Sequence, residues 1–338
     1  MTKTKKRKLH NIQEVEETFF KGIEYLQKER YPKAIKLFER VVDFGDSPYF
    51  SGAYVNLAVA YMEQNPLDQN NLKIAKMYLK KALEIKPNNL AAKSIAVQLH
   101  VALKDFKTAI NYFLDLEDST LINGNLYFLE VMEPLAIKGD KAIIEAIPEL
   151  EKLYKTYKSK WPKVINILGH AYLANQEYQK SFSAFKEYLY LYKNQPISIF
   201  TLANLSMICS TYLRNPKEGL EYAQEGLKLF KKQSQHFQTK NTNVQNILTS
   251  NLALAYSALK DYEQVVKILE PKLKTYPNNT DFHNIGFAYF KLGKYKEALE
   301  NINKALFIST DETSLFVKAE IYYYQKEYEK AITYYKKH

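Results

Sequence analysis

The chain is poor in cysteine and has no long apolar run, and these two absences narrow it first. Cys209 is the single cysteine in 338 residues, so neither a disulfide framework nor a thiolate metal site is expected. No apolar stretch follows the amino-terminal lysines, and none is long enough to span a bilayer, so a secretory signal and a membrane helix are not expected and the predicted location is cytoplasmic. Chemistry-bearing motifs are missing too. Gly286 and Gly293 are isolated rather than parts of a phosphate-cradling loop, no His-Glu-x-x-His zinc motif occurs, and the six histidines are scattered. No nucleophile has a plausible partner. The expectation is a non-enzymatic protein with no cofactor, no catalytic residue and no metal ligand.

What the chain does have is aromatic residues in a fixed rhythm. Tyr256, Tyr289 and Tyr322 stand 33 residues apart, as do Tyr262, Tyr295 and Tyr328. Val265, Ala298 and Ala331 keep the step, followed by Leu269, Ile302 and Tyr335. The template (aromatic, aromatic, small, large apolar) recurs as Tyr25, Tyr31, Ala34, Phe38, then His100, Phe106, Ala109, Phe113, then Tyr172, Tyr178, Ser181, Phe185. A fixed period in the thirties is the mark of stacked helical units, each of which buries its apolar face only against its neighbours. The reading is all-α, an α-solenoid of tandem antiparallel helix pairs. Small residues one turn before the first aromatic (Gly22, Ala58, Gly169, Ala253, Gly286) would let the first helix of a pair approach the second closely. Pro87 and Pro277 would end second helices. Cys209 and His100 occupy first-aromatic slots, so both are expected in the core.

At these residues the chain resembles the tetratricopeptide repeat family, whose pattern has a Leu-Gly, a Tyr, an Ala, an aromatic and a closing Pro. Leu168-Gly169 with Tyr172, and Gly286 with Tyr289, Ala298 and Ala305, carry the resemblance best. It implies a right-handed superhelix with the first helix of each pair lining a concave groove that binds proteins or peptides.

The organisation expected along the chain is a basic flexible tail (1–12), three repeats (13–118), an atypical helical pair (119–160) where the template degrades, and five further repeats (161–338). Lys3, Lys5, Lys6, Arg7 and Lys8 supply five of the net +11 charges. Pro148 would start or kink a helix, Trp161-Pro162 opens a clean unit, and Asn215-Pro216 marks a turn. No polar-faced helix follows the last pair, so self-association or a further domain would cover that end.

The slot two residues before the small position is Asn56, Asn204, Asn251 and Asn284 in four of eight alignable units. With 24 asparagines in 338 residues, fewer than one is expected there by chance. A side-chain amide offers a donor and an acceptor, matching the C=O and N–H of an extended peptide; the other reading is an asparagine bonded to a neighbouring helix or water. The resemblance implies the peptide-gripping role. Further groove candidates are Asn166, His170, Ser250, His283 and Phe287, with Phe290 and Phe316 as aromatic anchors. Some family members clamp a terminal carboxylate with Lys and Asn; here Phe19, Ile23, Ser94 and Gln98 stand at those positions, which argues against such a clamp. The expected function is a peptide- or protein-binding scaffold gripping an extended partner through this asparagine ladder. Two alternatives stay open: nucleic-acid binding through the basic tail and the Lys/Tyr surface, or the adaptor module of a longer protein.

Overall fold

The computed structural model describes residues 9–45, 50–116, 119–157 and 160–338, so the lysines and arginine of the basic leader lie outside the described residues. Among the described residues every regular element is a helix. The chain forms two compact units, Met1–Gln176 and Glu177–His338.

The first unit opens with three helix pairs: α1 (Ile12–Gln27) with α2 (Tyr31–Val42), α3 (Ser51–Gln64) with α4 (Gln69–Ile85), and α5 (Leu90–Ala102) with α6 (Phe106–Leu114). It continues through α7 (Ser119–Asn125), α8 (Tyr127–Ile137), α9 (Lys141–Glu145) and α10 (Ile147–Tyr157) to α11 (Lys163–Ala174). The atypical stretch is therefore four short helices where one pair was expected. Pro148 sits at the second residue of α10 and starts it, as a residue without a free N–H can. The second unit holds α12 (Tyr178–Leu191), α13 (Ser198–Thr211) with α14 (Pro216–Lys231), the short α15 (Gln235–Lys240), then α16 (Thr242–Ala258) with α17 (Tyr262–Thr275), α18 (Asn279–Lys291) with α19 (Tyr295–Ile308), and α20 (Glu312–Tyr324) with α21 (Tyr328–Tyr335). These tandem antiparallel pairs are the solenoid architecture that the repeat predicts.

The turn inside five of the pairs explains the step between template aromatics. In the first pair Glu29 takes φ 54, its N–H reaches the Leu26 carbonyl at 3.0 Å, and Arg30 N–H reaches the Tyr25 carbonyl at 2.8 Å. This is a Schellman closure, with one left-handed residue and a six-to-one bond. It recurs at Lys104, Lys260, Gly293 and Lys326, with bonds back to the carbonyls of His100, Tyr256, Tyr289 and Tyr322 at 2.8 to 2.9 Å. The first aromatic therefore accepts the closing bond at its carbonyl, and the second aromatic is the residue that begins the next helix. Asp105 and Asp261, one residue earlier, cap the N-termini of α6 and α17 through their side chains.

Close approach follows from the small residues. A methyl group on Gly22 would lie 2.7 Å from the Phe38 ring, and one on Gly286 would lie 2.8 Å from Ile302 Cγ1. The large apolar slot fills the gap, with Phe38, Phe113, Phe185, Leu269 and Ile302 fully buried. In the first unit the core runs continuously from Ala34 to Leu99 across the first three pairs. In the second, a core built on Ala253, Leu269, Ile285, Ile302 and Ile321 joins α16 through α20. Cys209 and His100 are both buried; burial pushes the Cys209 thiol up to about 12, which makes it an inert core group.

Candidate peptide-binding site

The candidate residues stand on the first helices α3, α11, α13, α16 and α18. In the first unit Asn56 is half-buried on α3, and its side-chain amide has no partner among the described residues. On α11, Asn166 is buried and donates Nδ2–H to Glu133 Oε1 at 2.7 Å. Lys163, one turn earlier, bridges Glu130 at 2.5 Å and Glu133 at 3.4 Å. Burial works to lower the Lys163 pKa, but the two carboxylates prevail and hold it raised. His170 lies one further turn along the same helix, and burial takes its pKa down to about 4, so the ring is neutral near pH 7.

In the second unit Asn204 on α13 and Asn284 on α18 are half-buried, again with no side-chain partner among the described residues. Asn251 on α16 is buried and donates Nδ2–H to the Ala203 carbonyl at 2.8 Å, beside Asn204. One N–H of that amide is thus held by a neighbouring helix, and its second N–H and its carbonyl remain. Ser250 is engaged on several sides. Its single hydroxyl proton lies between the Asn246 carbonyl and Asp281 Oδ2, both at 3.1 Å, and it accepts from Lys272 Nζ at 2.6 Å. His283 Nδ1 meets Ser314 Oγ at 2.8 Å. Phe287 is half-buried, with Lys291 Nζ 5.1 Å from its ring centroid.

Two features escaped the sequence reading. The first is a set of polar rungs between successive first helices: Ser94 with Asn125 at 2.8 Å and Glu133 with Asn166 at 2.7 Å in the first unit, Ser250 with Asp281 and His283 with Ser314 in the second. Partners lie 31 or 33 residues apart, so the repeat period itself was the available signal. The second is a buried ion pair, Lys272 on α17 with Asp281 on α18. Asp281 Oδ2 also accepts from Asn278 Nδ2 at 2.6 Å, while its Oδ1 has no partner. Lys272 stands one period before Ala305, so a lysine in a small-residue slot was the sign to follow.

The family model described as "Tetratricopeptide repeat" matches residues 51–89, 282–310 and 313–337, which are α3–α4, α18–α19 and α20–α21. These three stretches are tetratricopeptide repeats. Among solved structures, these repeats are similar to MamA (residues 41 to the end) from Desulfovibrio magneticus RS-1, at 14% identity over 53% of this chain and 93% of that one, with a TM-score of 0.43. They are also similar to the TPR domain of P58(IPK), at 19% identity over 95% of this chain and 91% of that one, with a TM-score of 0.31. No curated protein matches. Among the described residues, no helix is long and apolar enough to cross a membrane.

Proposed function

We propose that this tetratricopeptide-repeat protein is a non-enzymatic scaffold that holds an extended protein segment along its first helices. The observation that carries the reading is the state of Asn204 and Asn284. Both amides are half-buried, and neither has a side-chain partner among the described residues. A half-buried amide with no protein partner can exchange its water for an incoming peptide N–H and C=O, a net gain of about 1 kcal/mol per bond. Asn56 offers the same groups in the first unit, and Asn251 keeps one N–H and its carbonyl after bonding to Ala203. Asn166 and His170 in the first unit, and Ser250, His283 and Phe287 in the second, act beside these amides as wall residues, three of them (Asn166, Ser250 and His283) set by the bonds described above. Because main-chain bonds are read, the grip places little demand on the partner's sequence.

The test is a peptide selected for binding by display on the intact chain, then titrated against Asn204→Ala, Asn284→Ala and the double variant. Each lost bond is worth about 1 kcal/mol, roughly fivefold in affinity, and the double change should exceed either single one. Circular dichroism should be unchanged. Equal affinity of the double variant and the parent removes the ladder from the mechanism.

A further inference from the structure

We propose that the last turn of α14, the short helix α15 and the first turn of α16 form a surface that binds the phosphodiester backbone of a nucleic acid. This surface is separate from the asparagines of the peptide-binding reading and does not depend on them. Its first mark is charge. Residues 188–260 hold eight lysines and arginines against three carboxylates, so they carry five of the net +11 charges, as many as the basic leader. The rest of the chain is close to balanced. No Asp or Glu occurs between Glu225 and Asp261, a stretch of 35 residues in which the composition would place about four.

The fold gathers this charge at one joint. Phe230, Val244 and Leu248 share a core with Ile199 and Ala203, and Phe237 packs on it, its ring centroid 6.2 Å from that of Phe230. α15 is thereby held against the end of α14. Gln238 Nε2–H reaches the Gln233 carbonyl at 2.8 Å and the Lys231 carbonyl at 3.3 Å. Lys228, Lys231, Lys232 and Lys240 stand on the two helix ends so joined, exposed and with no side-chain partner among the described residues. A helix dipole favours lysines in a last turn, which fits Lys228, Lys231 and Lys240. It does not account for the lack of any carboxylate on α13, α15 and α16. The carboxylates that remain are on α14. Glu218 is held by Asn215 and Tyr222, while Glu221 and Glu225 are exposed and precede all four lysines, Glu225 by one turn. On α17, which packs along α16, the last turn adds Lys272, paired with Asp281, and the exposed Lys274.

The residues between the lysines point to the kind of anion. Ser234, Gln235 and Asn243 are exposed, and their hydroxyl and amides are groups that bond phosphate and sugar oxygens. From Lys228 to Asn243 no large apolar side chain is exposed. A membrane surface would call for such side chains to enter the lipid, and a protein partner for aromatic anchors. A phosphodiester chain needs neither, because cations with polar neighbours supply its affinity without reading its sequence.

The experiment uses the intact chain and fluorescence anisotropy with labelled oligouridylate, oligothymidylate and a DNA duplex, each titrated at several salt concentrations. Binding that weakens steeply with salt is expected, and the preferred probe identifies the source of the backbone. Lys228→Gln/Lys231→Gln/Lys232→Gln/Lys240→Gln should lower affinity at least tenfold and the log–log salt slope by roughly 3, with circular dichroism unchanged. The same four positions changed to Arg should keep both. Because the leader is basic too, the comparison is repeated with Lys3, Lys5, Lys6, Arg7 and Lys8 changed to Ser, where the four Gln changes should still cost at least tenfold. No binding of any nucleic acid, equal binding by the Gln variant, or loss in the Arg variant overturns the inference. So does binding that the leader changes alone abolish. Polyglutamate, or vesicles of phosphatidylserine in phosphatidylcholine, bound through the same lysines as tightly as the nucleic acids would overturn it in favour of an acidic protein or a membrane.

Discussion

Two successive repeats of the second unit solve one packing problem with different chemistry. At the seam of α16, α17 and α18 stand Ser250, Lys272 and Asp281; one period later, at the seam of α18, α19 and α20, stand His283, Ala305 and Ser314. Lys272 and Asp281 are buried, and so are Ala305 and Ser314. Each seam joins a first helix, its second helix and the next first helix. The later seam is closed by a methyl group and one neutral bond from His283 to Ser314. The earlier one is closed by an ion pair whose carboxylate oxygen Oδ2 accepts from Lys272, Ser250 and Asn278. Taking both ions out of water costs several kcal/mol each, which their attraction and added hydrogen bonds offset. The lesson is that the template fixes where these three slots lie, while their chemistry can change as a set and not one residue at a time.

The most direct way to break that comparison is to change one slot alone. Lys272→Ala leaves Asp281 buried without its cation and should destabilise the second unit by about 3–5 kcal/mol. Lys272→Ala/Asp281→Ser copies two of the three slots of the later seam and should return to within about 1 kcal/mol of the parent, since replacing a whole buried pair is often neutral. Urea unfolding of the single and double variants measures both. A single variant as stable as the parent would mean that the pair is hydrated in solution and that the seams do not differ as described.

The small slot sharpens the comparison next. It holds Ala253 on α16, Gly286 on α18 and Ala319 on α20, all in the core. Only at Gly286 is the second helix too near for a methyl group, with Ile302 Cγ1 2.8 Å and Ile302 N 3.2 Å from where it would sit. Gly286→Ala should therefore cost about 1–3 kcal/mol through overpacking, and Ile302→Val added to it should restore part of the loss. Thermal unfolding that shows Gly286→Ala as stable as the parent would mean that the helices separate freely.

How much of this was legible depends on whether a local pattern carried it. The spacing of Tyr289 and Tyr295 encodes a Schellman closure plus the first residue of a helix, so the pairs could be read from the chain alone. The ladder position of Asn251 was equally plain from its spacing. Its bond to the Ala203 carbonyl, 48 residues away, was not, because a helix face does not announce which neighbour will meet it. The ion pair was hidden for a related reason: Lys272 looks like a surface lysine unless it is aligned with Ala305. α15 went unread because it buries no residue and so leaves no apolar stripe. Between residues 119 and 160 the template gave a single pair, where Leu126 and Ala146 instead separate α7 from α8 and α9 from α10.

The turn slot should give a smaller and opposite pair of effects. Lys260, Gly293 and Lys326 take φ 63, 75 and 65 at equivalent positions, and only glycine adopts this region without crowding its own Cβ. Lys260→Gly should stabilise by up to about 1 kcal/mol, the relief of the left-handed penalty less the greater freedom of glycine in the unfolded chain. Gly293→Ala should destabilise by about 1 kcal/mol. Opposite signs in one unfolding assay are the expected result; equal signs would show that the two turns are not equivalent.

The least effect is expected from acid, at the one slot of the two seams that titrates as an imidazole. Burial lowers the pKa of His283, and the nearby Asp311 charge offsets part of that. The native ring is therefore neutral where an unfolded histidine, at about 6.5, begins to take up a proton. As the pH falls through that value the unfolded chain binds the proton first, so native stability declines until the lowered native pKa is passed. His283→Ser, which places the Ser250 side chain in the His283 slot, should flatten this decline while leaving stability at pH 8 little changed. His100 and His170 are shifted in the same direction and remain in both proteins, so the informative quantity is the difference between the two slopes from pH 7 downward. Identical slopes would mean that the His283 ring is as open to water in the folded chain as in the unfolded one, and that its bond to Ser314 does not hold it in the seam.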